Sequence, residues 1–506
     1  MAFNPVERSL LGLCQHWETF RSDASKRLLV WQVQDNAVRT LQCFFEVQKH
    51  ETALSTRDLF IVFDTPFENA MQFSRELKET LAGQYDASRE DLEQEGIKAD
   101  WRFNPEDHPD SATGFLQGLH SFAAKYHDVA GHVAAVFMPQ QVADDTAFCS
   151  WLTRALSVEM PEYLRLVVID SHETPRLSSL TESEHPLIAN ASPKIDALAI
   201  AQQTFAEEGG VGSGAVFRNI LMGLMTLVEK GSINQVKSKA TDAQAFARRQ
   251  GWADQEVVIT MLVAGAMLKE KRFDDAIQEY QGARQSAVQA TASGHPAGQQ
   301  LVLQTWFGEA GTQLAANRDV KAAECYDRAA VVAQKIPDLI LAIEAFRMSL
   351  FCHARLNNRD AALERGRLAL ALGERLEPEA RATTTLPMAA IDLLRVMEPE
   401  RVKRMEAIKQ QQEVRQEDAR VRAEQQAAGA EDAQESQALR VIEAQLEGET
   451  AQAGQAALQA IEEEAGAGDE AFRRQFTHAR DLLGEAWPLS HLVAAPIADT
   501  AEASAA

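Results

Sequence analysis

Two acids stand where a carboxylate can reach a metal ion. Asp64 closes the apolar run Phe60-Ile61-Val62-Phe63, and Asp170 closes Leu166-Val167-Val168-Ile169. This is the form of a parallel strand that presents a carboxylate to magnesium at the sheet edge, although many parallel strands end in aspartate without a metal. Magnesium–nucleotide chemistry also needs a phosphate loop, whose glycines let successive backbone N–H groups wrap the phosphates and whose lysine reaches the terminal oxygens. The turn where that loop belongs is Val33-Gln34-Asp35-Asn36-Ala37-Val38-Arg39-Thr40. Arg39-Thr40 fills the Lys-Thr places, but Val33 and Val38 stand where glycines are required. The cradle is missing.

Other chemistry has less support. There is no HExxH and no GxSxG, and His50, His172 and His185 are isolated. Asp144-Asp145 and Asp274-Asp275 fall at expected helix starts or turns, where capping accounts for them. Cys14, Cys43, Cys149, Cys325 and Cys352 form no CxxC pair, so they read as small hydrophobes rather than a zinc site or disulfide framework. No catalytic residue, cofactor-binding residue or metal ligand is assigned. No cofactor is expected, and the chain is expected not to be an enzyme.

The elements around these residues set the fold class. Apolar runs at Arg27–Val33, Asp58–Phe63, His132–Met138 and Leu164–Ile169 alternate with helical patterns near 5–22, 36–49, 67–82, 112–127 and 145–158. That rhythm predicts a mostly parallel α/β sheet domain over residues 1–206. The acidic stretch from Asp86 to Pro109 is expected to begin helical and end as an exposed loop. Glu207-Glu-Gly-Gly-Val-Gly-Ser-Gly-Ala215 reads as a glycine-rich linker over 207–215. Everything after it reads as helix: hairpins over 216–399, a polar helix or flexible segment over 400–468, then an amphipathic helix and a disordered tail over 469–506.

Within the hairpin region the spacing repeats. Ala264 and Met267 are followed by Ala276, Tyr280 and Ala283; Trp306 and Ala310 by Ala322, Tyr326 and Ala329. In both units the small-to-small step across the turn is twelve residues, the aromatic lies four further on and the next alanine three beyond it. A third unit has Phe346 and Leu350, then Ala362 and Ala369, with Gly366 in the aromatic's place. A fourth, degenerate hairpin is expected over 215–250 with its turn near Glu229–Ser232. Small residues at set points let two helices approach, and an aromatic fills the gap to the next hairpin.

These residues resemble the tetratricopeptide repeat family, whose small and aromatic positions they match. The match departs from the family's period of about 34 residues, because Ala276 to Ala322 is 46 and Ala322 to Ala362 is 40. The N-terminal domain similarly resembles a degenerate P-loop-type fold, like the regulatory ATPase modules that precede helical repeats in some bacterial proteins. The first resemblance implies a protein client held by the repeats, hence a protein-binding adaptor or chaperone. The second implies the alternative, a regulatory nucleotide-binding protein; a structural component of a bacterial secretion assembly is a further one.

Charge and hydropathy narrow the partners. A net charge of −24 over 506 residues argues against broad nucleic-acid contact, which needs clustered Lys and Arg. The longest apolar run, Ile220–Val228, is far short of the roughly 20 residues that span a bilayer. With no secretory pattern before Trp17, the expected location is the cytoplasm.

Overall fold

A computed structural model describes residues 3–50, 52–183, 185–196, 200, 203–204, 212–432 and 436–489. The Val-, Ile- and Phe-rich runs become strands β1 (Leu28–Val33), β2 (Leu59–Phe63), β3 (Val133–Phe137) and β4 (Leu164–Ser171). A fifth strand, β5 (Ile188–Ala191), goes beyond the sequence expectation. Its Ile-Ala-Asn-Ala carries one large apolar residue, too little for composition to mark, and it forms by pairing with β1. All strands are parallel, in the order β2-β3-β4-β1-β5.

Alternation along each strand divides the sheet's two faces. Leu28, Val30, Phe63, Phe137 and Leu166 face α3 (Ala70–Gln94), α4 (Ala112–Ala130) and α5 (Asp145–Ser157), while Leu29, Trp31, Val136 and Val167 face α1 (Pro5–Arg21) and α2 (Val38–Gln48). The sheet therefore lies between two helical layers, as crossover connections between parallel strands require.

Asp58, at the start of β2, ties α1 to the sheet. Its fully buried carboxylate accepts from Trp17 Nε1 at 2.6 Å and from the His132 backbone N at 2.9 Å, and pairs with Arg21 at 3.0 Å. Burial alone would raise its pKa, but the hydrogen bonds from His132 and Trp17 prevail and hold the carboxyl below its ordinary value.

The stretch after α3 is more ordered than an exposed loop. Trp101 is buried, stacked on Phe103 and edge-on to Tyr85. Lys78, itself buried, pairs with Asp110 at 2.7 Å and donates to the carbonyls of Pro105 and His108. A buried ammonium demands partners for its N–H groups, and here the chain folds back to supply them. The acids of this stretch, with Gly96, Asn104-Pro105 and His108-Pro109, favour a solvated loop in sequence terms, and they give no sign of the buried Lys78 and Trp101 that hold it.

The helical part comprises α7 (Ser213–Lys230), α8 (Ile233–Gln250), α9 (Ala253–Lys269), α10 (Phe273–Ala292), α11 (Gly298–Ala315), α12 (Asp319–Lys335), α13 (Leu339–Arg355), α14 (Arg359–Gly373), a short α15 (Pro378–Ala382) and α16 (Leu386–Met397). A short α6 (Ser178–Thr181) precedes β5. Ser213–Ala215, expected in the linker, open α7 instead, because Gly212 at φ 148° turns the chain directly into helix. Residues 207–211 of that linker lie outside the described residues.

The turns inside the hairpins share one device. Lys271, Asn317 and Asn357 adopt φ near 60, 58 and 56°. Each time the next residue's N–H reaches back to the first helix: Arg272 to Met267 O, Arg318 to Gln313 O and Asn358 to His353 O. This left-handed C-terminal cap satisfies carbonyls that a helix end leaves open and fixes the entry angle of the second helix.

Two long helices, α17 (Pro399–Asp432) and α18 (Ser436–Gly466), lie where a polar helix or flexible segment was expected. Contacts divide the chain into one unit of residues 1–207 with 416–450 and another of 208–415 with 451–506. In the first, Ala423, Ala427 and Leu439 pack on Met71, Glu424 accepts from the Ala70 N–H at 2.6 Å, and Arg75 pairs with Glu443. Of the spaced apolar residues Val402, Met405, Ile408, Val414 and Val421, Val402 and Met405 are buried in the second unit and Val414 and Val421 are exposed; the residues that meet Met71 are mostly alanine. In the second, α19 (Glu470–Leu483) buries Phe472 and Phe476 in a core with Val402 and Ile461. Both rings are buried there rather than exposed on the helix surface. The expected tail, Ala494 to Ala506, lies outside the described residues.

Two measurements test this packing. The Asp58 carboxylate contributes stability above its unfolded value of about 3.9, and that contribution fades as pH falls through its lower folded value. Asp58→Asn should therefore be less stable than the wild type at pH 6, with the gap narrowing below about pH 3.9; a pH-independent gap in denaturant titrations would contradict the assignment. A Cβ on Gly308 would lie 2.2 Å from the Tyr280 ring, whereas one on Gly311 meets nothing within 4 Å. Gly308→Ala should lose about 1–3 kcal/mol by overpacking and Gly311→Ala gain about 0.5–1 kcal/mol. Equal shifts in helical ellipticity melts would refute the packing.

Candidate functional site

The crevice at the carboxyl ends of the strands is where open α/β sheets bind ligands. Here it measures about 840 Å³ and is lined by Asp35, Asp64, Asp170 and Ser171, among others. The four polar residues named accept or donate hydrogen bonds within the protein. Buried Asp170 accepts the backbone N–H groups of Ser171, Arg176 and Leu177, so it shapes the loop after β4. Ser171 Oγ donates to Asp35 at 2.6 Å, and Glu173 accepts the Asp35 N–H at 3.1 Å. Asp64 accepts from Gln140.

The turn after β1 is a tight 3₁₀ turn, Asp35–Ala37, leading straight into α2. A phosphate entering there would meet two carboxylates and find its N–H donor already taken. Arg39 is exposed and does not line the crevice. Among the described residues no cluster of three or more metal-ligating side chains is present.

In the helical unit the sequence-derived repeat positions fall inside. Ala264, Met267, Ala276, Tyr280, Ala283, Ala310, Ala322, Tyr326, Ala329, Phe346, Leu350, Ala362 and Ala369 are buried, and Trp306 is half-buried. Gly366 has its own explanation. A Cβ there would lie 2.8 Å from both Leu350 and Leu393, so leucines occupy the space that Tyr280 and Tyr326 fill elsewhere.

These positions bring together polar residues that the sequence reading did not single out. The residues after the two tyrosines, Gln281 and Asp327, reach the next hairpin's first helix at matching places: Gln281 Nε2 to Glu309 at 2.8 Å, and Ser349 Oγ to Asp327 at 2.7 Å. Arg365 also binds Asp327 through two nitrogens. Burial would raise the Asp327 pKa, but the bonds from Arg365 and Ser349 hold it below the ordinary value.

Around Glu309 the wall opens into a cleft of about 930 Å³. Its sides are the second helices of two successive hairpins, α10 and α12, and its floor is α11 between them. Arg284 lies 3.5 Å over the Trp306 ring and pairs with buried Glu309. Gln313 stands one turn beyond Glu309. The available signal was Glu309, the one charged residue of α11. Nearby thiols are quiet, since burial pushes Cys325 up to about 12 and Cys352 to about 11. Cys43, by contrast with the buried expectation, is exposed.

No protein-family model matches the chain, and no curated protein matches it. Solved structures give only weak likenesses. BtubC (BKLC) from P. vanneervenii is 15% identical over 50% of this chain and 86% of that one, with a TM-score of 0.31. A Rap protein complexed with competence and sporulation factor is 13% identical over 82% and 98%, also at 0.31. A signal transduction ATPase with numerous domains from Pyrococcus horikoshii, with a tetratricopeptide repeat sensor, is 10% identical over 93% and 84%, at 0.22. Likenesses at these scores carry no argument about this chain. What stands on its own geometry is an N-terminal parallel sheet followed by many helices.

Titration of ATP or GTP with magnesium into the full chain should release no heat at micromolar protein, and Arg39→Ala should behave as the wild type. Micromolar nucleotide binding that Arg39→Ala abolishes would overturn the description of the β1 turn as closed.

Proposed function

We propose that this chain is a non-enzymatic adaptor or chaperone-like protein whose tetratricopeptide-type hairpins hold a protein client. The observation that supports it most is the stack itself. Hairpins α9–α10, α11–α12 and α13–α14 repeat one turn geometry, the first two share one small-residue spacing, and a polar cleft lies between the second helices α10 and α12. Stacked hairpins present continuous surface along several helices, which suits an extended or helical protein segment better than a compact metabolite.

Among the described residues no helix is long and apolar enough to cross a membrane. In this reading the α/β unit is a scaffold, or a second docking surface, rather than a nucleotide switch. Support comes from the carboxylates of Asp35 and Glu173 at the turn where phosphate would have to sit.

Affinity capture with the full chain, followed by chemical cross-linking and mass spectrometry, should return one saturable protein partner with cross-links inside residues 253–397. Cross-links confined to the α/β unit, or no reproducible partner, would defeat the proposal.

A further inference from the structure

Two residues that line the cleft between α10 and α12 carry a buried donor and a buried acceptor that the fold leaves without a partner. Glu309 is occupied by Gln281 and Arg284. Arg284 Nη1 and Gln313 Oε1 remain buried with no hydrogen-bond partner among the described residues, and both residues line the cleft. Gln313 is only 6% exposed. An unmade bond at a buried polar atom costs about 1–3 kcal/mol, so two such atoms in one cleft mark a place where a ligand can gain by supplying what is missing.

The chemistry of the missing partner follows from the pair. Nη1 of a guanidinium only donates, and Oε1 of a glutamine only accepts. A ligand that offers a carbonyl and an N–H together satisfies both. An anion fits less well: Glu309 already neutralises Arg284, and Gln313 Oε1 would face the anion's own oxygens. An extended peptide presents a carbonyl and an N–H at every residue, and a cleft of this size accommodates several residues.

Resting on the client-binding reading, we propose that this cleft takes the backbone of an extended client segment. Arg284 Nη1 donates to a peptide carbonyl, and Gln313 Oε1 accepts from a peptide N–H. Trp306 beneath the guanidinium and Glu309 beside it hold Arg284 in one pose before the peptide arrives, so little ordering remains to be done on binding.

The test uses the full chain and linear twelve-residue peptides selected against it from a random library. Titration calorimetry should show affinity falling about tenfold or more in Gln313→Met, while the melting temperature stays level or rises because an unmet buried acceptor has gone. Methylating the contacting peptide nitrogen should cause a similar loss in the wild type and little further loss in Gln313→Met, as two halves of one hydrogen bond must.

Failure to select any peptide, or selected peptides that bind Gln313→Met as tightly as the wild type, would overturn the proposal. So would a melting temperature that drops with affinity, or displacement of the peptide by inorganic phosphate or acetate. A protein client that binds wild type and Gln313→Met equally would also overturn it while leaving the adaptor reading intact. Absence of any client would count against that reading instead.

Discussion

Close approach between helices is the constraint on which the helical half depends. Ala264, Ala276, Ala310, Ala322, Ala329, Ala362 and Ala369 are all buried at helix–helix contacts, and Gly308 lies where even a methyl group would enter the Tyr280 ring. Side chains this small let backbones meet, but they bury little apolar surface each. Stability must then come from the large residues that fill the remaining gaps, with Tyr280, Tyr326, Phe346, Leu350 and Leu393 in that role. The left-handed turns at Lys271, Asn317 and Asn357 serve the same end, since a fixed entry angle brings the small faces into register.

Such tight packing explains why the polar residues of the array are arranged in pairs. A carboxylate as buried as Glu309 is tolerated only when partnered, and removing one member of a buried pair costs about 3–5 kcal/mol. Glu309 has Gln281 and Arg284; Asp327 has Ser349 and Arg365. The Gln281–Glu309 and Ser349–Asp327 bonds each join a second helix to the following first helix at the same repeat position, and Arg365 adds a link from Asp327 to the next second helix. They act as registers between hairpins, and at Glu309 the register leaves Arg284 Nη1 and Gln313 Oε1 unused.

Much of this was legible in the sequence where apolar period carried the signal. The four long strands, their helices and the hairpin positions follow from runs of Val, Ile and Phe and from the twelve-residue step. What escaped did so for identifiable reasons. β5 is held by pairing with β1 more than by its own composition. The stretch after α3 is held by the buried cation Lys78 together with buried Trp101, and no local pattern reveals the former. The contact face of α17 near Met71 is alanine, which hydropathy hardly distinguishes from a solvated helix. The cleft residues Gln281, Arg284 and Gln313 look like ordinary surface polars until the hairpins stack.

The alanine face of α17 also changes what counts as the α/β domain. Residues 416–450 belong to its compact unit, although more than two hundred residues separate them from the sheet's last strand in sequence. Glu424 meets the Ala70 N–H at the first turn of α3, a group that a helix start leaves unsatisfied, and Glu443 meets Arg75 one turn later. Burial pushes the pKa of both glutamates up, with Arg75 opposing the shift at Glu443. A chain cut at the glycine-rich stretch would expose Met71, leave Arg75 without Glu443 and leave Ala70 without its cap. The glycines therefore mark a break in composition, whereas the folded unit is closed by helices that return to it much later in the sequence.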